Sequence, residues 1–143
     1  MFRAILLPID ISSDQSWERA APVAIRMAEG DGIPLHVVTV VPDFGTAWVG
    51  SFFREGFEER ALHEVGEHLC KWVEAHVSQG IEVHPHVLHG RVYDEIIRAA
   101  DRLGTDVIVI GSHRPELSDY LLGPNAARVV RHAKQSVFVV RGE

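Results

Sequence analysis

The chain lacks the marks of several protein classes. Among its 143 residues it has a single cysteine, Cys70, so no internal disulfide can form, and such usage suits a reducing cytoplasm. No apolar run approaches the ~20 residues of a membrane-spanning helix, so no membrane association is expected. The opening Met1-Phe2-Arg3-Ala4 leads straight into a strand pattern without a signal-peptide profile, and a cytoplasmic location is expected. Lys and Arg form no cluster and the net charge is −6, which argues against nucleic acid as a partner. The phosphate motifs of other classes are missing. There is no GxxxxGK(S/T), no GxGxxG after a strand, no GxSxG elbow, and no acidic cluster with a closing lysine of the receiver type. No internal repeat and no low-complexity linker interrupts the sequence, so one domain over residues 1–143 is expected.

What is present is an ordinary globular balance, 46% hydrophobic and 24% charged, ordered as alternating strand and helix patterns. Residues 4–10 (AILLPID) read as a strand, with Pro8 tolerable near its carboxyl end. Residues 11–16 are turn chemistry, and Ser12, Ser13, Asp14 and Ser16 are N-cap candidates. Helical spacing runs from Trp17 to Ala28, where Pro22 predicts a late start or a kink, and Gly30 and Gly32 end the helix. Leu35 to Val41 is β-branched and reads as a strand, and residues 42–56 read as a mobile loop. Phe57 to Ser78 reads as a long helix capped by Gly80, with Cys70 packed on its inner side. Ile81 to Leu88 alternates and contains Pro85, as an edge strand would. A helix over Val92–Leu103, a strand over Asp106–Ile110, a helix over Asn125–Ala133 and a strand over Val137–Arg141 complete the order. Strict alternation implies a five-stranded parallel sheet with helices on both faces, an α/β fold whose ligands bind beyond the carboxyl ends of the strands.

Those ends carry the candidate chemistry. Asp10 closes the first strand and could accept from a ribose hydroxyl, hold a phosphate-bridging metal, or serve as a turn residue. Gly111-Ser112-His113-Arg114 follows the buried run Val107-Ile108-Val109-Ile110, where glycine would let backbone approach a ligand and Arg114 could pair with phosphate. Gly123-Pro124-Asn125-Ala126 opens the next helix, and the free amides of Gly123, Asn125 and Ala126 could cradle an anion, with Pro124 suited to the first helical position. Among the nine histidines, His84 and His86 point to one face of their strand, either as a metal pair or as polar positions of an edge.

With these residues in view, the chain resembles the universal stress protein family, and within it the short bacterial branch that carries SHRP, LLGxNAA and VVRHA near its end. Here these are Ser112-His113-Arg114-Pro115, Leu121-Leu122-Gly123-Pro124-Asn125-Ala126-Ala127 and Val129-Val130-Arg131-His132-Ala133. Ile5-Leu6-Leu7-Pro8-Ile9-Asp10 and Val38-Thr39-Val40-Val41-Pro42 resemble the family's first two strands. The resemblance implies an adenine nucleotide alpha-hydrolase-like (Rossmann-like) fold with strand order 3-2-1-4-5. It also implies ATP binding, possible with Mg at Asp10, through a pattern G-x2-G-x9-G-(S/T). Gly111 and Gly123 match its outer glycines. Arg114 replaces the middle one, eight residues (115–122) stand where nine are usual, and Pro124 replaces the Ser/Thr. Family adenine contacts, largely from backbone near the ends of the first two strands, imply Pro8, Ile9 and Val41, with Asp10 toward the ribose or a metal. The family's usual edge-to-edge dimer implies a homodimer through residues 137–141.

Two functions follow from this reading. The first is a stress-response regulator that binds ATP with little or no hydrolysis, because no lysine and no general base stands beside the phosphate site. The second is a dimerisation or interaction module of the same fold without a nucleotide. A nucleotidyl transferase ranks last, since its HxGH-type signature is absent.

Overall fold

The computed structural model describes residues 1–42, 57–112 and 124–142. Five strands alternate with four helices: β1 (Ile5–Pro8), α1 (Ala20–Asp31), β2 (Leu35–Pro42), α2 (Phe57–His76), β3 (Val83–Gly90), α3 (Val92–Leu103), β4 (Val107–Ser112), α4 (Pro124–His132) and β5 (Ser136–Arg141). All strands are parallel and lie in the order β3-β2-β1-β4-β5. Each consecutive pair is joined through a helix, as parallel neighbours require. Order reverses between β1 and β4, and this places a crevice at their carboxyl ends.

The period-2 alternation of the central strands feeds two cores. Ile5, Leu7, Val37 and Val109 meet Ala20, Ala24 and Ala28 of α1 and Leu69 and Trp72 of α2 on one face. Leu6, Val38, Ile108 and Ile110 meet Ile96, Ala99 and Ala100 of α3 and Ala126 and Val129 of α4 on the other. Small alanines on α1 and α3 let these helices sit close to the sheet.

Several boundaries depart from the sequence reading. Helix α1 starts at Ala20, not Trp17, and Pro22 then sits in its first turn, where a missing N–H costs no helical bond. None of the Ser and Asp candidates caps it. Its N-cap residue is Arg19, whose side chain does not cap the helix, and Asp14–Ser16 instead form a short 3-10 turn. Gly30 lies inside the helix, and Gly32, at φ 63°, closes it in the left-handed region. Helix α2 ends at His76, short of Ser78, and Gly80 lies in the turn that follows. Cys70 is exposed, contrary to expectation, because the buried line of α2 runs through Leu69 and Trp72 and leaves Cys70 one residue off it. Pro42 ends β2 and does not begin a loop; residues 43–56 lie outside the described ones. Strand β4 continues through Gly111 and Ser112, which pair with Val140 and Arg141. Strand β3 is an edge, as Pro85 predicted, and runs on to Gly90.

Candidate functional site

A cavity of about 410 Å³ opens where the strand order reverses. That lies within the ~300–1,000 Å³ typical of small-molecule sites. One wall is apolar: Val38 and Val40 from β2, Ile110 from β4, and Val92 and Ile96 from α3. A second group of lining residues is polar: Asp10, Ser12, Ser13, Gln15 and Ser16 after β1, and Asn125 at the start of α4. Such a division suits a ligand with a flat apolar part and a polar remainder.

The polar wall is held by a local network. Ser16 accepts from the Asp10 amide at 2.8 Å, and its hydroxyl lies 3.0 Å from the Asp10 carbonyl and 2.8 Å from that of Ser13. Asp10 Oδ1 accepts from the Ser12 amide at 3.0 Å and the Ser12 hydroxyl at 2.6 Å, an Asx-type turn that orients the carboxylate. Asp10 itself is exposed, and its Oδ2 has no hydrogen bond from a described residue. Among the described residues, Asp10 is the one ionisable side chain of the cavity wall. No group of three or more His, Cys, Asp and Glu among them could hold a metal ion.

Gly111 has a structural reason beyond ligand approach. A Cβ there would stand 2.5 Å from the Ser16 carbonyl oxygen. Glycine thus lets the 3-10 turn close against β4, and the turn carries the polar wall. At the far side, Pro124 is the first residue of α4, the position where its lack of an N–H removes no helical bond. The Asn125 and Ala126 amides belong to the unpaired first turn and sit at the positive end of the helix dipole.

The structure brings Pro8, Ile9, Asp10, Gly111, Pro124, Asn125 and Ala126 together around the cavity. Val41 is not among the wall residues; Val40 and Pro42 on either side of it are. The alternation of a strand sends the Val41 side chain to the opposite face; the contact expected of Val41 is through its backbone. Ser112 lines a separate cleft of about 170 Å³ with Arg19, Val140 and Gly142. His113, Arg114 and Gly123 lie outside the described residues. Sequence reasoning missed Val92, Ile96, Ile110 and Gln15. Val92 and Ile96 are one helical turn apart and share a face of α3, but nothing in their apolar character signals that they border a cavity.

Over residues 1–141 the sequence matches the universal stress protein family. The chain belongs to that family. "Universal stress protein G" of Shigella flexneri is 36% identical over 143 residues, covering 99% of this chain and 100% of the relative. The universal stress protein of Archaeoglobus fulgidus in complex with dAMP superposes with a TM-score of 0.69 at 25% identity, covering 96% of each chain. A universal stress protein in complex with cAMP superposes with a TM-score of 0.61 at 19% identity, over 99% of this chain and 98% of that one, and supports the fold. The sheet order and the paired helix layers are those of the family's adenine nucleotide alpha-hydrolase-like fold. No helix among the described residues is long and apolar enough to cross a membrane.

Proposed function

We propose that this universal stress protein binds an adenine nucleotide, ATP above all, in the cavity between β1 and β4, and acts as a small cytoplasmic stress-response regulator. The observation that carries this reading is the division of the cavity wall. Val38, Val40, Val92, Ile96 and Ile110 offer an apolar slot for a purine, and Ile9 and Pro8 supply backbone beside it. Asp10, preset by Ser12 and Ser16, faces the ribose hydroxyls with its unengaged oxygen. The Asn125 and Ala126 amides face the phosphates. Relatives of the same fold with dAMP and cAMP support the choice of base. Magnesium would enter with the phosphates, with Asp10 as the one carboxylate on this wall among the described residues. With Asp10 turned to the ribose, no lysine and no general base stands beside the phosphates among the described wall residues, so the nucleotide is a bound signal with little turnover.

The same proposal includes a homodimer through β5. That strand is an edge, its outer backbone groups have no sheet partner among the described residues, and Phe138 stands 49% exposed on it.

Calorimetric titration of nucleotide-free protein with Mg-ATP, ADP and AMP tests the ligand. Saturable heat with ATP is expected, weakened about tenfold or more in Asp10→Ala, in line with ~1.5–3 kcal/mol for a hydrogen bond to a charged group. Absence of heat with every nucleotide refutes the reading and leaves the dimerisation module. Sedimentation of Phe138→Lys tests the dimer independently: a monomer is expected, and an unchanged mass refutes pairing through β5.

A further inference from the structure

Three histidines take no part in the cavity. His36 lies on β2, His84 sits opposite it on β3, and His86 sits opposite Val38. All three lie on the α3 face, as do Val38 and Leu88. The His36 ring stacks on His84 at 5.0 Å between centroids and on His86 at 5.2 Å, with planes 24° and 22° apart. His36 Nδ1 stands 3.0 Å from His86 Nε2. An N–H···N bond between two imidazoles needs a lone pair on one of them, so it exists only while at least one ring is neutral. Doubly protonated, the two rings become adjacent cations in a half-buried place.

The strand they fasten is an edge. Among the described residues its one ladder is to β2, and Pro85 fits there because its nitrogen faces away from β2. The groups around the pair add to the effect of protonation. His84 and Arg102 of α3 contribute like charge, and Glu82, 3.0 Å from His84, is the opposing acid. From β1 only the apolar Leu6 lies beside His36.

We propose that the His36–His84–His86 stack is an acid-sensitive latch on the edge strand β3, closed by neutral imidazoles and opened when His36 and His86 are both protonated. Burial, then the neighbouring imidazoles, hold His36 below its ordinary 6.5, and Glu82 pulls weakly the other way. Burial, His84 and Arg102 hold His86 below it too. The latch is therefore closed at neutral pH and opens on the acid side. It stands whether or not the cavity binds a nucleotide.

The test is amide hydrogen exchange on the full chain at about pH 7.5 and about pH 5.5, corrected for intrinsic rates, alongside NMR titration of the imidazole C–H signals. Protection in β2 and β3 is expected to fall about tenfold or more in acid relative to β4 and β5, with His36 and His86 titrating below 6.5. In His86→Gln the extra acid loss of protection should disappear. Equal loss across the sheet, or titration of either histidine at or above 6.5, would overturn the latch. So would zinc at neutral pH protecting the ladder, which would mark a metal site in its place. The wild-type titration stands alone if the variant does not fold.

Discussion

Gly111→Ala isolates the contact that shapes the polar wall. The new methyl would stand 2.5 Å from the Ser16 carbonyl oxygen, 3.3 Å from its carbon and 3.6 Å from Ala20 Cβ. Ordinary contact begins at 3.4 Å, so the backbone of the turn must withdraw by about 0.9 Å. Backbone is the obstacle, so no rotamer change relieves it. Overpacking of this kind costs about 1–3 kcal/mol, offset by about 0.4–1 kcal/mol from the stiffer unfolded chain. Gly111 has no positive φ, and alanine adds no dihedral strain. These ranges leave a net loss between about 0 and 2.6 kcal/mol, and an immovable backbone obstacle puts it in the upper part, about 1–2.6 kcal/mol, or about 2–10 °C in Tm. Gly66→Ala is the matched control. Its methyl meets Val87 Cγ2 at 3.7 Å, an ordinary contact, and alanine inside α2 gains about 0.5–1 kcal/mol over glycine. Urea denaturation followed by circular dichroism, at one protein concentration, reads both. Gly111→Ala as stable as wild type would refute the claim that the turn is pinned against β4. Equal losses in both variants would refute it as well.

Other consequences are open to direct measurement. Ile96→Ala removes a side chain that is 2% exposed between the α3 core and the cavity, and should cost about 2–4 kcal/mol by denaturation while enlarging the apolar side of the cavity. A loss below ~1 kcal/mol would mean the site collapses freely. Cys70 should react with a thiol reagent in the native protein at a rate close to that of the unfolded chain; strong native protection would contradict its exposure. Stability should also depend on pH. His36 and His86 titrate lower in the folded protein than at 6.5, so the unfolded chain binds more protons and stability falls as pH drops below 6.5. Urea midpoints that rise from neutral to mildly acid pH would contradict this sign.

Much of the fold was legible because strand and helix periods alternate cleanly and the central strands are continuous apolar runs. Boundaries failed where local chemistry and tertiary pairing disagree. Gly111 and Ser112 have turn composition, yet β5 lies beside them and supplies partners at Val140 and Arg141, so β4 runs on. His89 and Gly90 are carried into β3 in the same way by Val41 and Pro42. The serines after β1 read as helix caps because a cap and a turn use the same hydroxyl chemistry. Ser16 spends its hydroxyl on Asp10 and Ser13, and α1 begins later without it.

The site was legible in place more than in parity. Topology put it at the β1–β4 switch, and the residues flanking that point converge there. On a strand, however, one position decides the face. Val40 and Val41 are alike in sequence, and only the register with β3 and the packing of α3 turn Val40 into the cavity and Val41 away. Gly111 borders both clefts, and Ser112 only the smaller one. Periodicity could not separate Ile96, which borders a cavity, from Ala99 and Ala100, which are closed over by core, because all three point inward. What distinguishes them is distance from the sheet's carboxyl edge, since α3 descends from that edge and its first turns alone overhang the crevice. A ligand wall built this way from core-type residues leaves no polar signature in the sequence. It becomes visible only when the open end of the sheet is located.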